Sequence, residues 1–339
     1  MLSISKNRIY YYFYQKTSKF FMQSIKISKG DIIDIIFPAT CCNYEDISLI
    51  KKYVESELEL TPRIILEDQT TPTIKENYEN AFPSYSPEKR FKQLYQSLSS
   101  NSKIVWCARG GYGSGDLLPF LDKAKKVQQN KLFIGFSDIT SIASFLQEKW
   151  GWEIIVAPVL IQLTKNKITQ DAVSELKDLI FFNKAQFNYQ LIALNDFAKN
   201  KIIETEICGG CLSVLAGHFG GKYQINFNDK ILFLEDQGED GERLDRYFRQ
   251  IIEVIQCTKQ KPKAILLGNF MESNSSSNPK LENVRIAIKL LIQRIEQFNL
   301  KIPVLEDKNK NLGHSKKMRP ILLGKKVKIT PNKVLQLTI

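Results

Sequence analysis

The chain has 339 residues, 43% apolar and 25% charged, ordinary values for a globular protein, and its length points to two domains rather than one. The net charge of +12 would suit a nucleic-acid partner, but the lysines are scattered and form no basic block, so no nucleic-acid binding is expected. Six cysteines at irregular spacing in a chain long enough for a full core point to reduced thiols, and no run reaches the ~18 apolar residues of a membrane span.

Residues 1–24 read as an N-terminal extension. The first 29 residues carry lysines and arginine, no acid, and an aromatic cluster at residues 10–14. They lack the unbroken apolar segment of a secretory signal. Met22 stands just before the first patterned strand and is an alternative start of translation. Residues 31–37 form the first apolar strand, stopped by Pro38. Ile47, Ile50, Val54 and Leu58 then mark a helix face, and residues 63–66 a second strand. Ser86-Pro87-Glu88 opens a helix with Phe91, Leu94, Tyr95 and Leu98 on one face. A strand over residues 103–107 runs into the Gly-rich loop Arg109-Gly-Gly-Tyr-Gly-Ser-Gly115. The next strand, residues 131–134, meets Gly135-Phe-Ser137-Asp138 and a helix to Trp150, and residues 153–157 make a fifth strand.

Strands alternating with helices predict an α/β fold: a doubly wound, mostly parallel, Rossmann-like sheet over residues 25–160. Residues 161–200 are weakly patterned and read as a connecting segment. Residues 201–339 read as a mixed α/β domain, rich in β at its end. Its expected elements are an apolar helix over 212–219 opened by Gly209-Gly210, a strand ending at Glu235-Asp236, and a helix striped by Leu244, Phe248, Ile251 and Ile255. A further strand over 263–267, a polar loop over 273–278, a helix over 281–298 and short extended pieces follow. In such sheets ligands bind beyond the carboxyl ends of the strands, where both the Gly-rich loop and Ser137 fall.

Strand, sharp turn and helix around Ser137 have the shape of a nucleophile elbow, with Ile139 where the usual second glycine would be. Taken alone, the serine reads first as a helix N-cap. The Gly-rich loop fits neither the dinucleotide nor the P-loop pattern; it offers close backbone approach to a ligand, or only a tight crossover. A serine nucleophile needs a base and an orienting acid. The chain has two histidines. His218 falls in an apolar helix and reads as a core histidine; His314, between glycine and serine in a loop, can reach a cleft. Glu235 and Asp236 end a strand, a rigid place for an acid. Ser137, Glu235 and His314 are thus a candidate set. Cys208-Gly-Gly-Cys211 has metal spacing but no second pair to complete about four ligands, so no metal is expected.

Gly30-Asp-Ile-Ile-Asp-Ile-Ile-Phe-Pro38, Ala108-Arg-Gly-Gly-Tyr-Gly113, Ile134-Gly-Phe-Ser-Asp138, Gly209-Gly210, Leu234-Glu-Asp236 with Glu239 and Arg246, and Gly313-His314 stand in one order across roughly residues 25–330. In these the chain resembles the LD-carboxypeptidases, the muramoyltetrapeptide carboxypeptidases. The resemblance implies a triad of Ser137 as nucleophile, Glu235 as acid and His314 as base. It implies an oxyanion hole from the N–H of Asp138 and the glycines near Gly111. It implies release of the terminal D-alanine from a murein tetrapeptide, in cytoplasmic cell-wall recycling, by a homodimer with no cofactor and no stable membrane association. Arg109 is a candidate for the substrate carboxylate, or braces backbone carbonyls. Cys211 stands where the family often has asparagine, and Phe37-Pro38-Ala39 where it has Ala-Pro-Ser. Two other readings are a peptidase similar to the microcin-C immunity peptidases, cleaving aminoacyl-nucleotide conjugates, and a non-catalytic muropeptide-binding protein.

Overall fold

The computed structural model describes residues 25–66, 84–182, 186–271, 281–330 and 334–338. The N-terminal extension, the alternative start at Met22 and the polar loop at 273–278 lie outside them. The first half alternates strand and helix as the apolar periodicity requires. β1 (Ile32–Ile36) leads to α1 (Tyr44–Glu57), where the Asn43 side chain accepts from the N–H of Asp46 at 2.8 Å. β2 (Thr61–Ile64) is followed by α2 (Pro87–Ser99), with proline in its first turn and Ser86 as its cap. β3 (Ile104–Cys107) feeds the Gly-rich loop, a 3₁₀ turn and α3 (Leu118–Lys123). β4 (Leu132–Gly135) ends at the turn carrying Ser137, and the helical segment beyond includes α4 (Thr140–Phe145). β5 (Ile154–Val156) completes the parallel set.

Residues 160–200, weakly patterned as sequence, hold α5 (Leu160–Thr164), α6 (Gln170–Phe182) and β6 (Gln186–Ala193). In β6, Phe187, Tyr189 and Leu191 are buried in alternation with exposed Asn188 and Gln190, the period of a strand with one face inward. β7 (Ile203–Cys211) runs through both glycines of the Cys-Gly-Gly-Cys stretch. The apolar helix after it, α7 (Leu212–Ala216), is shorter than the sequence suggests, so His218 lies beyond its end. β8 (Ile231–Gln237), α8 (Gly241–Thr258), β9 (Ala264–Met271), α9 (Leu281–Gln297) and β10 (Val304–Asp307) follow, then β11 (Ile321–Leu323), β12 (Lys326–Ile329) and β13 (Val334–Thr338).

These strands make two sheets. The first has the order β11-β5-β4-β3-β1-β2, with β1 to β5 parallel and β11 antiparallel to β5. The second closes into a barrel, β10-β6-β13-β12-β7-β8-β9, in which β7 to β10 are parallel and β6, β12 and β13 supply the antiparallel pairs. In the first sheet the order reverses between β1 and β3, so the crevice beyond these strand ends is where a ligand fits.

Two fully buried charges tie the first sheet together. Asp34, in mid-strand β1, takes Arg63 Nε at 2.6 Å and the hydroxyls of Ser97, Ser100 and Ser102 at 3.1, 2.6 and 2.9 Å. Arg90 of α2 donates to the carbonyls of Tyr85 (2.8 Å), Pro38 (2.9 Å) and Gly113 (2.7 Å) and to Asp116 (3.2 Å). It thereby clasps the loops that leave β1 and β3. Replacing Arg90 by Met removes its donors to three carbonyls and its charge beside Asp116, and should cost at least about 3 kcal/mol. Urea unfolding measures this, and an unchanged midpoint would show that the clasp carries no stability.

Candidate active site

The loop after β3 and the turn after β4 meet at the carboxyl edge of the first sheet. Ser137 sits at the tip of its turn with φ of 64°, left-handed and strained for a serine. The turn closes because two glycines lack side chains. A Cβ on Gly135 would lie 2.5 Å from Ile139 Cγ2, so the glycine before the serine makes room for the isoleucine that replaces the usual second glycine. A Cβ on Gly110 would lie 2.9 Å from Ser137 Cβ, which fixes how closely the Gly-rich loop approaches the serine. Gly111, with φ of 113°, packs on Thr40, whose hydroxyl accepts from the N–H of Tyr112 at 3.1 Å. Asp138 is buried, its carboxylate accepting from the N–H of Ser114 at 2.8 Å, and burial raises its pKa against that bond. Arg109 is exposed on the loop and makes no hydrogen bond or ion pair among the described residues. The backbone carbonyls of this region are braced by Arg90 instead.

The barrel brings the other two groups. Thr140, three residues past Ser137, accepts from the N–H of Cys211 at 3.1 Å, and a Cβ on Gly210 would lie 2.6 Å from its hydroxyl. The end of β7 is thus seated on the serine turn. β7 pairs with β8 in a register that sets Cys211 beside Glu235. Glu235 is fully buried; its Oε2 accepts from the backbone N–H of His314 at 3.0 Å and from His314 Nδ1 at 2.6 Å, while Oε1 has no hydrogen-bond partner among the described residues. On the other side of the ring, His314 Nε2 stands 3.2 Å from Ser137 Oγ, and the ring packs on Phe136 with centroids 4.3 Å apart. Gly313, at φ of 91°, allows the approach, since a Cβ there would meet Glu235 Cβ at 2.6 Å.

This relay of hydroxyl, imidazole and carboxylate can take a proton from Ser137 and hold it on the ring. With Glu235 bonded to Nδ1, Nε2 is the nitrogen that faces the serine. Burial pushes the His314 pKa down, but the charge and hydrogen bond of Glu235, with the charge of Asp236 added, hold it above the ordinary histidine value. Burial and then the charge of Glu235 push Asp236 up to about 6, against hydrogen bonds from Ser213 and Gln237. His218 stands apart from this relay. Its Nε2 lies 2.9 Å from Ser141 Oγ, and burial lowers its pKa. Cys208 and Cys211 are buried thiols.

The structure therefore brings Ser137, Glu235 and His314 into one hydrogen-bonded chain, with Asp138 next in the turn and Gly110, the neighbour of Gly111, packed on the serine. Arg90 and Thr40 also shape the site, and neither was legible as such, because both act on backbone groups far away in sequence. No helix of the described residues is long and apolar enough to cross a membrane.

Comparison with known proteins matches residues 33–157 to the model of the LD-carboxypeptidase N-terminal domain and residues 204–329 to that of the C-terminal domain. A putative carboxypeptidase of Rickettsia conorii is 30% identical over 315 residues, 92% of this chain and 91% of that one. The murein tetrapeptide carboxypeptidase of Pseudomonas aeruginosa is 31% identical over 194 residues, 55% of this chain and 62% of its own. Among solved structures, an MccF-like protein from Bacillus anthracis superposes with a TM-score of 0.71 at 20% identity, covering 93% of this chain and 98% of that one, a likeness of fold.

With two histidines in the chain, NMR titration of the imidazoles reads the site directly. His314 should titrate above about 6.5 and His218 below it. Glu235→Gln should move the His314 titration down, because only the charge of Asp236 then opposes burial; a His314 titration indifferent to Glu235→Gln would refute the electrostatic coupling.

Proposed function

The chain belongs to the LD-carboxypeptidase family of serine-type peptidases, and on that footing we propose that it releases the terminal D-alanine from murein tetrapeptides, cutting after the L-centre of diaminopimelate. The observation that carries the reading is the unbroken relay from Ser137 Oγ through His314 to Glu235, at 3.2 and 2.6 Å. His314 Nε2 takes the proton of Ser137 as Oγ attacks the amide carbonyl. Glu235 holds the ring and stabilises its charged form. The N–H groups of Asp138 and Gly111 are the proposed donors to the tetrahedral oxyanion, each a contribution whose loss costs on the order of 10²-fold in rate. The imidazolium then gives its proton to the leaving amine of D-alanine, and water, deprotonated by the same ring, hydrolyses the acyl-serine. Arg109, exposed and unengaged among the described residues, is the proposed partner of the substrate's terminal carboxylate. A homodimer acting in the cytoplasm on recycled wall fragments belongs to the same proposal.

A second reading within the family, cleavage of aminoacyl-nucleotide conjugates, draws on one observation. Tyr112, on the loop that packs against Ser137, is 56% exposed and offers a ring on which a base can stack.

Incubation of the purified protein with murein tetrapeptide separates these readings. D-alanine release is expected, and Ser137→Ala should lower it by on the order of 10⁴-fold or more without unfolding the protein. Tight binding with no release would replace the enzyme reading by a muropeptide-binding one, and turnover of an aminoacyl-nucleotide conjugate alone would favour the second substrate. His218→Gln should leave release largely intact; loss of release in that variant would overturn the choice of His314 as base.

A further inference from the structure

His314 is carried on a loop whose own side chains do little to shape it. The loop, residues 308–314, leaves the end of β10 and lies against β8 and β9. Three backbone N–H groups of the loop converge on one side chain, Asp307, which is fully buried. Its Oδ1 accepts from Asn309 at 3.2 Å; its Oδ2 accepts from Leu312 at 2.9 Å and from Asn311. From the neighbouring strand β9, Asn269 holds the same segment at two further points. Its backbone N–H donates to the carbonyl of Leu312 at 2.6 Å, and its side-chain amide donates to the carbonyl of His314 itself. Gly268, beside it, has no room for a side chain, since a Cβ would meet Leu312 O at 2.6 Å. Glu306 pins the loop's exposed half through Lys310 at 2.6 Å, and Glu306 is itself held by Arg285 at 2.8 Å.

We propose that Asp307 and Asn269 are positioning residues for His314: together they clamp the loop so that one carboxylate oxygen of Glu235 can receive both the backbone N–H and the Nδ1–H of the same histidine. That double contact tolerates little error. Glu235 Oε2 is within 3.0 Å of the backbone nitrogen and 2.6 Å of Nδ1, and Gly313 is pressed against the Glu235 side chain. A loop free to drift by an ångström keeps one of these bonds at the expense of the other. Burial raises the pKa of Asp307 in spite of its three donors. A carboxylate is therefore kept in apolar surroundings where an ordinary turn would do without one. Neither residue is hydrogen-bonded to Ser137; each acts through the loop that carries the histidine.

The proposal rests on His314 being the base, so its test needs a readout that does not depend on turnover. Asp307→Asn turns one oxygen that accepts N–H donors into a donor itself, and Asn269→Ala removes the donor to the His314 carbonyl. In each folded variant, imidazole NMR should show the Nδ1–H resonance of His314 weakened by exchange. Its pKa should move down towards the value burial alone dictates, with Glu235 and Asp236 the charged groups that face it. The His218 titration should stay where it is. On murein tetrapeptide, kcat should fall about 10- to 100-fold with KM within about threefold. A folded variant with the parent's His314 titration and kcat would overturn the clamp while leaving the base assignment standing. Equal shifts at both histidines would also overturn it, because they report general loosening. Should Asp307→Asn fail to fold, Asn269→Ala, at a half-buried position, decides alone. If the protein cleaves no murein tetrapeptide at all, the NMR titrations still decide the clamp.

Discussion

A buried carboxylate without a permanent cation beside it is the constraint on which this structure turns. Glu235 is shielded from water and contacts no lysine or arginine among the described residues; its hydrogen bonds come from one histidine, twice. Taking an ionised carboxylate out of water is costly unless strong, well-aligned donors replace the solvent. Here the replacement is a single loop, and one oxygen of the carboxylate has no partner among the described residues. The consequence reaches outward. The charge raises the proton affinity of His314 and of Asp236 next to it. Gly268 and Gly313 are dictated by how near the loop must come, and no larger residue fits at either position.

The same logic of close approach joins the two sheets. Gly210 lets the end of β7 settle on Thr140, Gly110 lets the loop after β3 settle on Ser137, and Gly135 accommodates Ile139. The first two contacts bring backbone to within van der Waals range of a neighbour far away in sequence, and the third tightens the serine turn itself. Rigid elements on both sides then hold three side chains from three distant parts of the chain at hydrogen-bond distance, as preorganised acyl-transfer chemistry requires. Strain at Ser137 is sustained because the turn is over-determined by its surroundings.

Much of this was legible in the sequence, for local reasons. The parallel strands of the first sheet are short apolar runs, the helices carry caps and stripes, and Ser137, Glu235 and His314 each stand at a strand end or between a glycine and a loop. What was not legible is non-local. Closure of the barrel depends on β6 pairing with β13 and β12 with β7, and nothing in any of these segments names its partner. β6 does alternate, but over too few residues to stand out from its surroundings. Asp34 interrupts an apolar run with a charge that makes sense only once Arg63 and three serines are folded around it. Helix α7 ends at Ala216, before the apolar stretch does, and this puts His218 against Ser141 rather than inside a helix.

β11 bears on how such a chain comes to be made. It comes from the last part of the chain, after His314, yet it is the edge strand of the first sheet, paired antiparallel with β5. During synthesis the first five strands emerge early, and β5 presents an unpaired edge until almost the entire chain has left the ribosome. An open edge on a growing polypeptide invites pairing with the wrong strand. The first sheet therefore lacks its last edge strand until the C-terminal part of the chain is present. Its completion waits on the barrel, and the loop bearing His314 is laid down just before the strand that seals the edge. The strand that seals the first sheet and the loop that carries the base thus come from one short stretch of the chain.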